Sequence, residues 1–317
     1  MNRTILFYDD GFKNLDFGGG HPMRGDRYQK ALAEFKNLGI LDRLDLREPD
    51  LISDDVLTLF HTEKYINLVK EISEQGKGML GPDTPGFKGV YDAALLSVSA
   101  SVKAADSLLE DEADVSVNIC GGWHHAFENK GRGFCIFNDI AVTASYLLTK
   151  GINKIMVIDY DAHHGDGTQR AFYNNSKVYT VSLHQDPQTF YPFVTGYKDE
   201  TGEGEGEGFN RNFSLSLQCK DSEFIQNFNE VGKIASDFKP QFMIIQMGVD
   251  GSKECAISNM QLTKHAYNYA SKFLMDLQKE YRFKILALGG GGFVHPMLGQ
   301  NWGIQVKNFI LNPSIVA

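Results

Sequence analysis

The stretch "DYDAHHGDG", Asp159 to Gly167, crowds together groups that can bind a metal or move a proton: Asp159, Asp161, His163, His164 and Asp166. Side chains two apart on an extended segment point the same way, so Asp161 and His163 can share one ion. A carboxylate beside an imidazole suits Zn²⁺ or another borderline divalent cation. Two residues do not complete such a site, and Asp250 of "QMGVD" is the best third ligand. Two aspartates and a histidine with one position left open form the layout of a catalytic rather than a structural metal. The plainer reading is a polar loop capping the next helix, but it leaves charge at a buried strand end without a partner.

"GGWHHA" adds His124 and His125, and two spare acids, Asp159 and Asp166, flank the expected ligands. A carboxylate bonded to an imidazole fixes its tautomer and raises its basicity. Pairs Asp159–His124 and Asp166–His125 would therefore make two differently tuned imidazoles. Metal-assisted amide hydrolysis needs such a pair, a base for the attacking water and an acid for the leaving amine. His61, His184 and His265 stand alone and read as packed or surface histidines.

These groups need elements to carry them. Apolar or β-branched runs recur at Thr4–Tyr8, Val115–Cys120, Lys154–Asp159, Val178–Leu183, Phe242–Met247 and Lys284–Leu288. Helical periodicity fills the intervals, at Tyr91–Glu110, Asp139–Lys150, Asp221–Phe238 and Thr263–Glu280. Strands that alternate with helices and are apolar throughout predict a three-layer α/β/α fold around a mainly parallel sheet. The chemistry-bearing motifs all follow strands, so the active site is expected at the strands' carboxyl ends. No repeat or linker interrupts the sequence, and residues 1–317 read as one domain. "TGEGEGEGFN", Thr201 to Asn210, reads as a flexible acidic loop, and Glu203, Glu205 and Glu207 are not expected to bind metal.

A net charge of −9 argues against a phosphate-binding surface and favours neutral or cationic partners. The 4 cysteines are too few and too scattered for a disulfide framework or a CxxC site. "MNRTILFYDDGF" lacks a signal-peptide core, and no apolar run is long enough to span a bilayer. A soluble, cytoplasmic protein is expected, with neither nucleic acid nor membrane as a partner.

In order and spacing, "GGWHHA", "GFCIFND", "DYDAHHGDGTQ", "MGVD" and "LGGGGF" resemble the histone deacetylase family, most closely its class I and acetoin-utilization-like bacterial members. The opening "FYDDGFKNLDFGGGHPMRGDR" is similar as well, so the resemblance runs from Phe7 to Phe293. It implies the arginase/deacetylase-like fold and a zinc site at Asp161, His163 and Asp250, with Fe²⁺ as the alternative ion. It also implies His125 as general base and acid, with His124 as its electrostatic neighbour, backed by Asp166 and Asp159. Phe134 and Tyr191 would wall an acyl-lysine tunnel, Tyr191 standing where phenylalanine is more usual. Gly133 would offer its carbonyl to the substrate, Gly291 would line the same site, and Asp83 would sit at the rim. Asp159, Ser182 and Leu183 would hold a structural monovalent cation, normally K⁺, and Arg27 would line an internal product channel.

Two departures stand out. In "GVDGSKECAISNM", Cys255 and Ala256 replace the family's usual Asp-containing pair near the pocket mouth. Phe293 occupies the position of a tyrosine whose hydroxyl donates to the developing oxyanion. Losing one such donor typically costs about 10²–10³ in rate. The chain could be an engineered tyrosine-to-phenylalanine variant, a natural enzyme in which His295 or another group replaces the phenol, or a slow homologue. The sequence thus predicts a zinc-dependent amidohydrolase that cleaves a linear amide C–N bond, freeing an amine from its acyl group. Its substrate would be an acyl-lysine, an acylated polyamine or a small acylated metabolite. A non-catalytic acyl-ligand or partner-binding homologue and an arginase-like ureohydrolase with two Mn²⁺ are the alternatives.

Overall fold

The computed structural model describes residues 2–293 and 296–312. Its strands are β1 (Thr4–Phe7), β2 (Asp45–Arg47), β3 (Lys77–Gly81), β4 (Thr84–Phe87), β5 (Val115–Asn118), β6 (Ile155–Asp159), β7 (Val178–Gln185), β8 (Asn210–Leu215), β9 (Phe242–Gln246) and β10 (Lys284–Leu288). The α-helices are α1 (Asp26–Asn37), α2 (Asp54–Leu57), α3 (Glu63–Gln75), α4 (Val90–Leu109), α5 (Asp139–Thr149), α6 (Asp166–Phe172), α7 (Asp221–Phe228), α8 (Glu230–Phe238), α9 (Lys264–Tyr281) and α10 (Leu298–Leu311).

Eight strands form one sheet in the order β2-β1-β5-β10-β9-β6-β7-β8, and every pairing in it is parallel. Strands "VSVN", "IMVID" and "FMIIQ" are buried at every residue, because helices cover both faces of a parallel sheet. Helix α4 packs against α3, α5 and strands β1, β5 and β10, while α10 packs against α1, α9 and β5. The result is the expected three-layer arrangement.

Two details of register position the chemistry. The strands that carry the motifs, β5, β10, β9, β6 and β7, are consecutive neighbours in the middle of the sheet. For the first four the last strand residues are also level: Asn118 pairs with Leu288, Leu288 with Gln246 and Gln246 with Asp159, while Asp159 meets Ser182 inside β7, which runs on to Gln185. The loops that follow therefore leave from one row and meet over one spot.

Some expectations needed adjustment. Asp221–Phe238 divides into α7 and α8 at Asn229, although that residue keeps helical dihedrals. The acidic loop is more ordered than its composition suggests: Gly204–Gly206 form a 3₁₀ turn, Gly206 is buried against Tyr173, and Asn210 opens β8. Among the described residues, no helix is long and apolar enough to cross a membrane.

His61 is buried behind the site, and its Nε2 accepts a hydrogen bond from Asn138 N at 2.9 Å. Burial pushes its pKa from 6.5 down to about 3. The unfolded chain thus binds the proton first, so this contribution to stability is intact above pH 6.5 and is lost as the pH falls. By pH 5 the loss reaches about 2 kcal/mol. A His61→Gln variant, which can still accept from Asn138, should lower by about one proton the slope of urea-unfolding free energy against pH between 7 and 5. An unchanged slope would show that His61 is not the linked group.

Candidate active site

Asp161 and His163 follow β6, and Asp250 follows its sheet neighbour β9. One ligand atom from each lies within 4.8 Å of the others. His163 Nδ1 sits 2.8 Å from Asp250 Oδ2 and 3.1 Å from Asp161 Oδ1. The loop is turned rather than extended, with His163 N donating to Asp161 Oδ1 at 3.0 Å. Backbone and amide donors hold the carboxylates in place. Gln246 Nε2 and Gly291 N each donate to Asp161 Oδ2 at 2.8 Å, and Ala162 N donates to Asp250 Oδ1 at 2.7 Å. Gly291 has to be glycine, since a Cβ there would lie 2.5 Å from a carboxylate oxygen of both Asp161 and Asp250.

The donor set fits a divalent cation. Asp161 and Asp250 are buried side by side, and two like charges in that setting demand a counter-charge. Burial and the charge on Asp161 lift Asp250 to about 6. Although burial disfavours its charge, Asp250 and Asp161 raise His163 to about 10.

Beside this cluster, His124 Nδ1 lies 2.6 Å from Asp159 Oδ2, and His125 Nδ1 lies 2.7 Å from Asp166 Oδ1. The two imidazole centroids are 4.0 Å apart. Burial opposes a charge on His124, but Asp159 and Asp161 raise it to about 9. Burial, joined by the charge on His124, drives His125 down to about 4. The pairing is the one expected, and it does set two adjacent imidazoles apart.

A cavity of about 250 Å³ unites these groups, lined by His124, His125, Asp161, His163 and Asp250 and further by Asp83, Gly133, Phe134, Tyr191, Gly291 and Phe293. Gly133 has φ +55°, and a Cβ on it would fall 2.3 Å from the His125 ring, so the loop can cross that imidazole only as glycine. Asp83 accepts from Gly133 N at 2.9 Å and from the Tyr191 hydroxyl at 3.2 Å. The Tyr191 ring meets His125 edge-on with centroids 5.1 Å apart, and Phe134 packs on Phe293 in the same manner at 5.7 Å.

Phe293 also borders a second cavity of about 850 Å³, which Arg27 lines. The Arg27 guanidinium is 4.6 Å from the Phe293 ring centroid and donates to Gly290 O at 2.8 Å. His295, the candidate substitute for the absent phenol, lies outside the described residues. Asp159 and Ser182 line a void of about 10 Å³, whereas Leu183 is not part of its lining. His184 is a packed histidine, bonded to Ser182 Oγ and Gly196 O. Ile257, from the divergent loop, reaches the cavity, while burial pushes the Cys255 thiol up to about 12 and keeps it protonated.

Sequence reasoning missed several groups. Phe190 stacks on His163 at 4.5 Å, and Arg132 Nε donates to Asp166 Oδ2 at 2.5 Å. Gln246 falls inside the apolar run Phe242–Met247, which gives no sign of its role. Asn138 and Asp139 looked like an ordinary helix start. Asn138 Nδ2 instead donates to the carbonyls of His124 and Ala126, at 3.3 and 3.2 Å. The Asp139 carboxylate turns back to accept from Gly122 N, Trp123 N and Ser101 Oγ. A polar pair at a helix start following an apolar run was the available signal. Asp139→Ala would leave these three buried donors unpaired. It should therefore cost about 3–5 kcal/mol in denaturant unfolding. A change below about 1 kcal/mol would mean that this carboxylate does not hold the histidine loop.

Comparison with known proteins shows the family. The histone deacetylase domain profile matches residues 21–309. The chain is 32% identical over 303 residues to the acetoin utilization protein AcuC of Bacillus subtilis, covering 92% of this chain and 78% of that protein. It is 30% identical over 310 residues to histone deacetylase 1 of Homo sapiens, covering 95% of this chain but only 63% of that longer one. Among solved structures, an HDAC homologue complexed with SAHA superposes with a TM-score of 0.87 at 29% identity, covering 97% of this chain and 84% of that one. The HDA15 HD domain superposes with a TM-score of 0.90 at 26% identity, covering 100% and 92%. With a family profile spanning most of its length and these identities over nearly all of it, the chain belongs to the histone deacetylase family of amide hydrolases.

Proposed function

We propose that this protein is a zinc-dependent deacylase that hydrolyses the amide between an acyl group and a primary amine. The observation that carries this reading is the opening of the Asp161–His163–Asp250 cluster and the Asp166-backed His125 into one cavity. Zinc, or ferrous iron, held by Asp161, His163 and Asp250 would polarise the acyl carbonyl and make an attacking water more acidic.

The remaining work falls to the chain's own groups. His125 has Nδ1 tied to Asp166, which leaves Nε2 to take a proton from the water and return it to the departing nitrogen. Its low proton affinity keeps it in the neutral, accepting form at neutral pH. His124, held by Asp159, places a positive charge beside the position where negative charge develops. Phe134 and Tyr191 exclude water from the acyl chain, and the Gly133 carbonyl accepts the substrate N–H. Asp159, Ser182 and Leu183 would hold K⁺ beneath the site. The net charge of −9 favours neutral or cationic partners, which leaves an acyl-lysine peptide, an acylated polyamine or a small acylated amine as substrates. The buried free thiols support a reducing, cytoplasmic setting.

Phe293 favours a second reading, a homologue that binds an acyl ligand without turning it over. A ureohydrolase with two metals is less well supported, because among the described residues a single cluster could hold an ion.

Asp161→Ala and His163→Ala should each abolish zinc binding in elemental analysis, and a retained stoichiometric metal would refute the ligand assignment. His125→Ala should keep zinc yet lose hydrolysis of an acetyl-lysine reporter. Phe293→Tyr should raise kcat by about 10²-fold by restoring an oxyanion donor. A silent wild type that is awakened by Phe293→Tyr identifies the binding reading instead.

A further inference from the structure

We propose that Arg132 is a positioning residue, one guanidinium to which both the general base and the walls of the acyl tunnel are anchored. The inference rests on the reading of His125 as the base and concerns how its orientation is maintained.

Asp166 is buried, and Oδ1 is already engaged by His125 Nδ1 at 2.7 Å and by Gly167 N at 3.1 Å. Its other oxygen is met by Arg132 Nε at 2.5 Å. A buried carboxylate whose second oxygen lacked a donor would be free to turn away from the imidazole. The cation that supplies this donor therefore fixes the side of Asp166 that His125 receives. The Arg132 side chain is only 17% exposed, and the Asp166 side chain 1%, so solvent does not replace the bond easily.

The same guanidinium lies 5.1 Å from the ring centroid of Tyr191 and 5.4 Å from that of Phe127. Tyr191 in turn presses its edge against the His125 ring. The imidazole is thus held at Nδ1 by Asp166 and across its ring by Tyr191, and both holders lean on Arg132. The backbone contributes as well. Arg132 N and Cys135 N exchange hydrogen bonds with each other's carbonyls at 3.0 and 2.8 Å. Between them Gly133 and Phe134 both take positive φ, +55° and +67°. This is a tight mirror-image turn whose tip is the Phe134 wall. Its first residue sends Arg132 to the base, so the base and both aromatic walls share one support.

Such sharing predicts a separation of effects. Arg132→Lys retains a cation for Asp166 but loses the flat surface under Tyr191. Arg132→Ala loses both. The experiment measures kcat and KM of the zinc-loaded chain on acetyl-lysine and longer acyl-lysine reporters, in the wild-type and Phe293→Tyr backgrounds. Arg132→Ala should lower kcat by about 10-fold or more and alter the ratio of KM values between short and long acyl chains. Arg132→Lys should restore kcat to within a few-fold without restoring that ratio. After Asp166→Asn, the Arg132→Ala change should cost less than about 2-fold in kcat, because the route through the carboxylate is already broken. An equal loss from Arg132→Ala with and without Asp166→Asn, or failure of lysine to rescue kcat, would overturn the proposal.

A second readout does not depend on turnover. In ¹⁵N-histidine NMR of the zinc-loaded protein, the His125 Nδ1–H resonance, assigned with His125→Ala, should disappear or broaden in Arg132→Ala and return in Arg132→Lys. If neither background hydrolyses any reporter, the deacylase reading fails, and this resonance alone decides on Arg132. Its persistence unchanged in Arg132→Ala would overturn the anchor.

Discussion

Two buried carboxylates at the ends of neighbouring strands set the terms for the rest of the molecule. Asp161 and Asp250 sit where water cannot screen them, and like charges in such a place are tolerated only with compensation close by. The compensation comes from every direction. Gln246 and Gly291 address one acid, Ala162 N the other, and the His163 imidazole lies between the two. Within the polyglycine run after β10, Gly291 follows from the same constraint, since any side chain there would collide with both carboxylates. An apolar cluster would be easier to bury. This one instead brings together a donor set that fits a divalent cation.

The histidine loop obeys a related rule. Residues 121–125 lie outside helix and strand, and Asn138 and Asp139 tie them down from the start of α5. Order in the loop is thereby borrowed from a helix and from the sheet on either side of it. Orientation of the imidazoles is delegated to two acids that bracket the loop after β6, Asp159 at the end of the strand and Asp166 at the start of α6, one for each ring. Phe293 fits this frame as a packing element, since its ring still closes the space between the acyl cavity and Arg27 while contributing no donor.

Much of this was legible in the residues. Apolar runs ending in Asp, His and Gly marked the central strands, because parallel strands buried on both faces leave polar residues only at their ends. The meeting of Asp161, His163 and Asp250 and the two Asp–His pairs could be read from type and spacing. The edge strands β2 and β8 could not, being short or interrupted by polar residues, and the hairpin β3–β4 that carries Asp83 gave no periodic signal. Gln246, Asp139 and Arg132 escaped for another reason. Each is a common polar residue whose role depends on a partner far away in sequence, as Arg132 depends on Asp166, and no local pattern announces it.

The order of strands has a consequence for how the molecule comes into being. Strands β9 and β10, made late in synthesis, lie between β5 and β6, which are made early. A growing chain therefore holds the two histidine-bearing segments apart across a gap two strands wide until the final quarter of the sequence arrives. Pairings of such long range carry a large loop-closure cost and are made slowly. The middle of the sheet is the last part to close, and Asp250 enters with it. Of the Asp161–His163–Asp250 cluster, a growing chain therefore carries only the first two residues until β9 has been made.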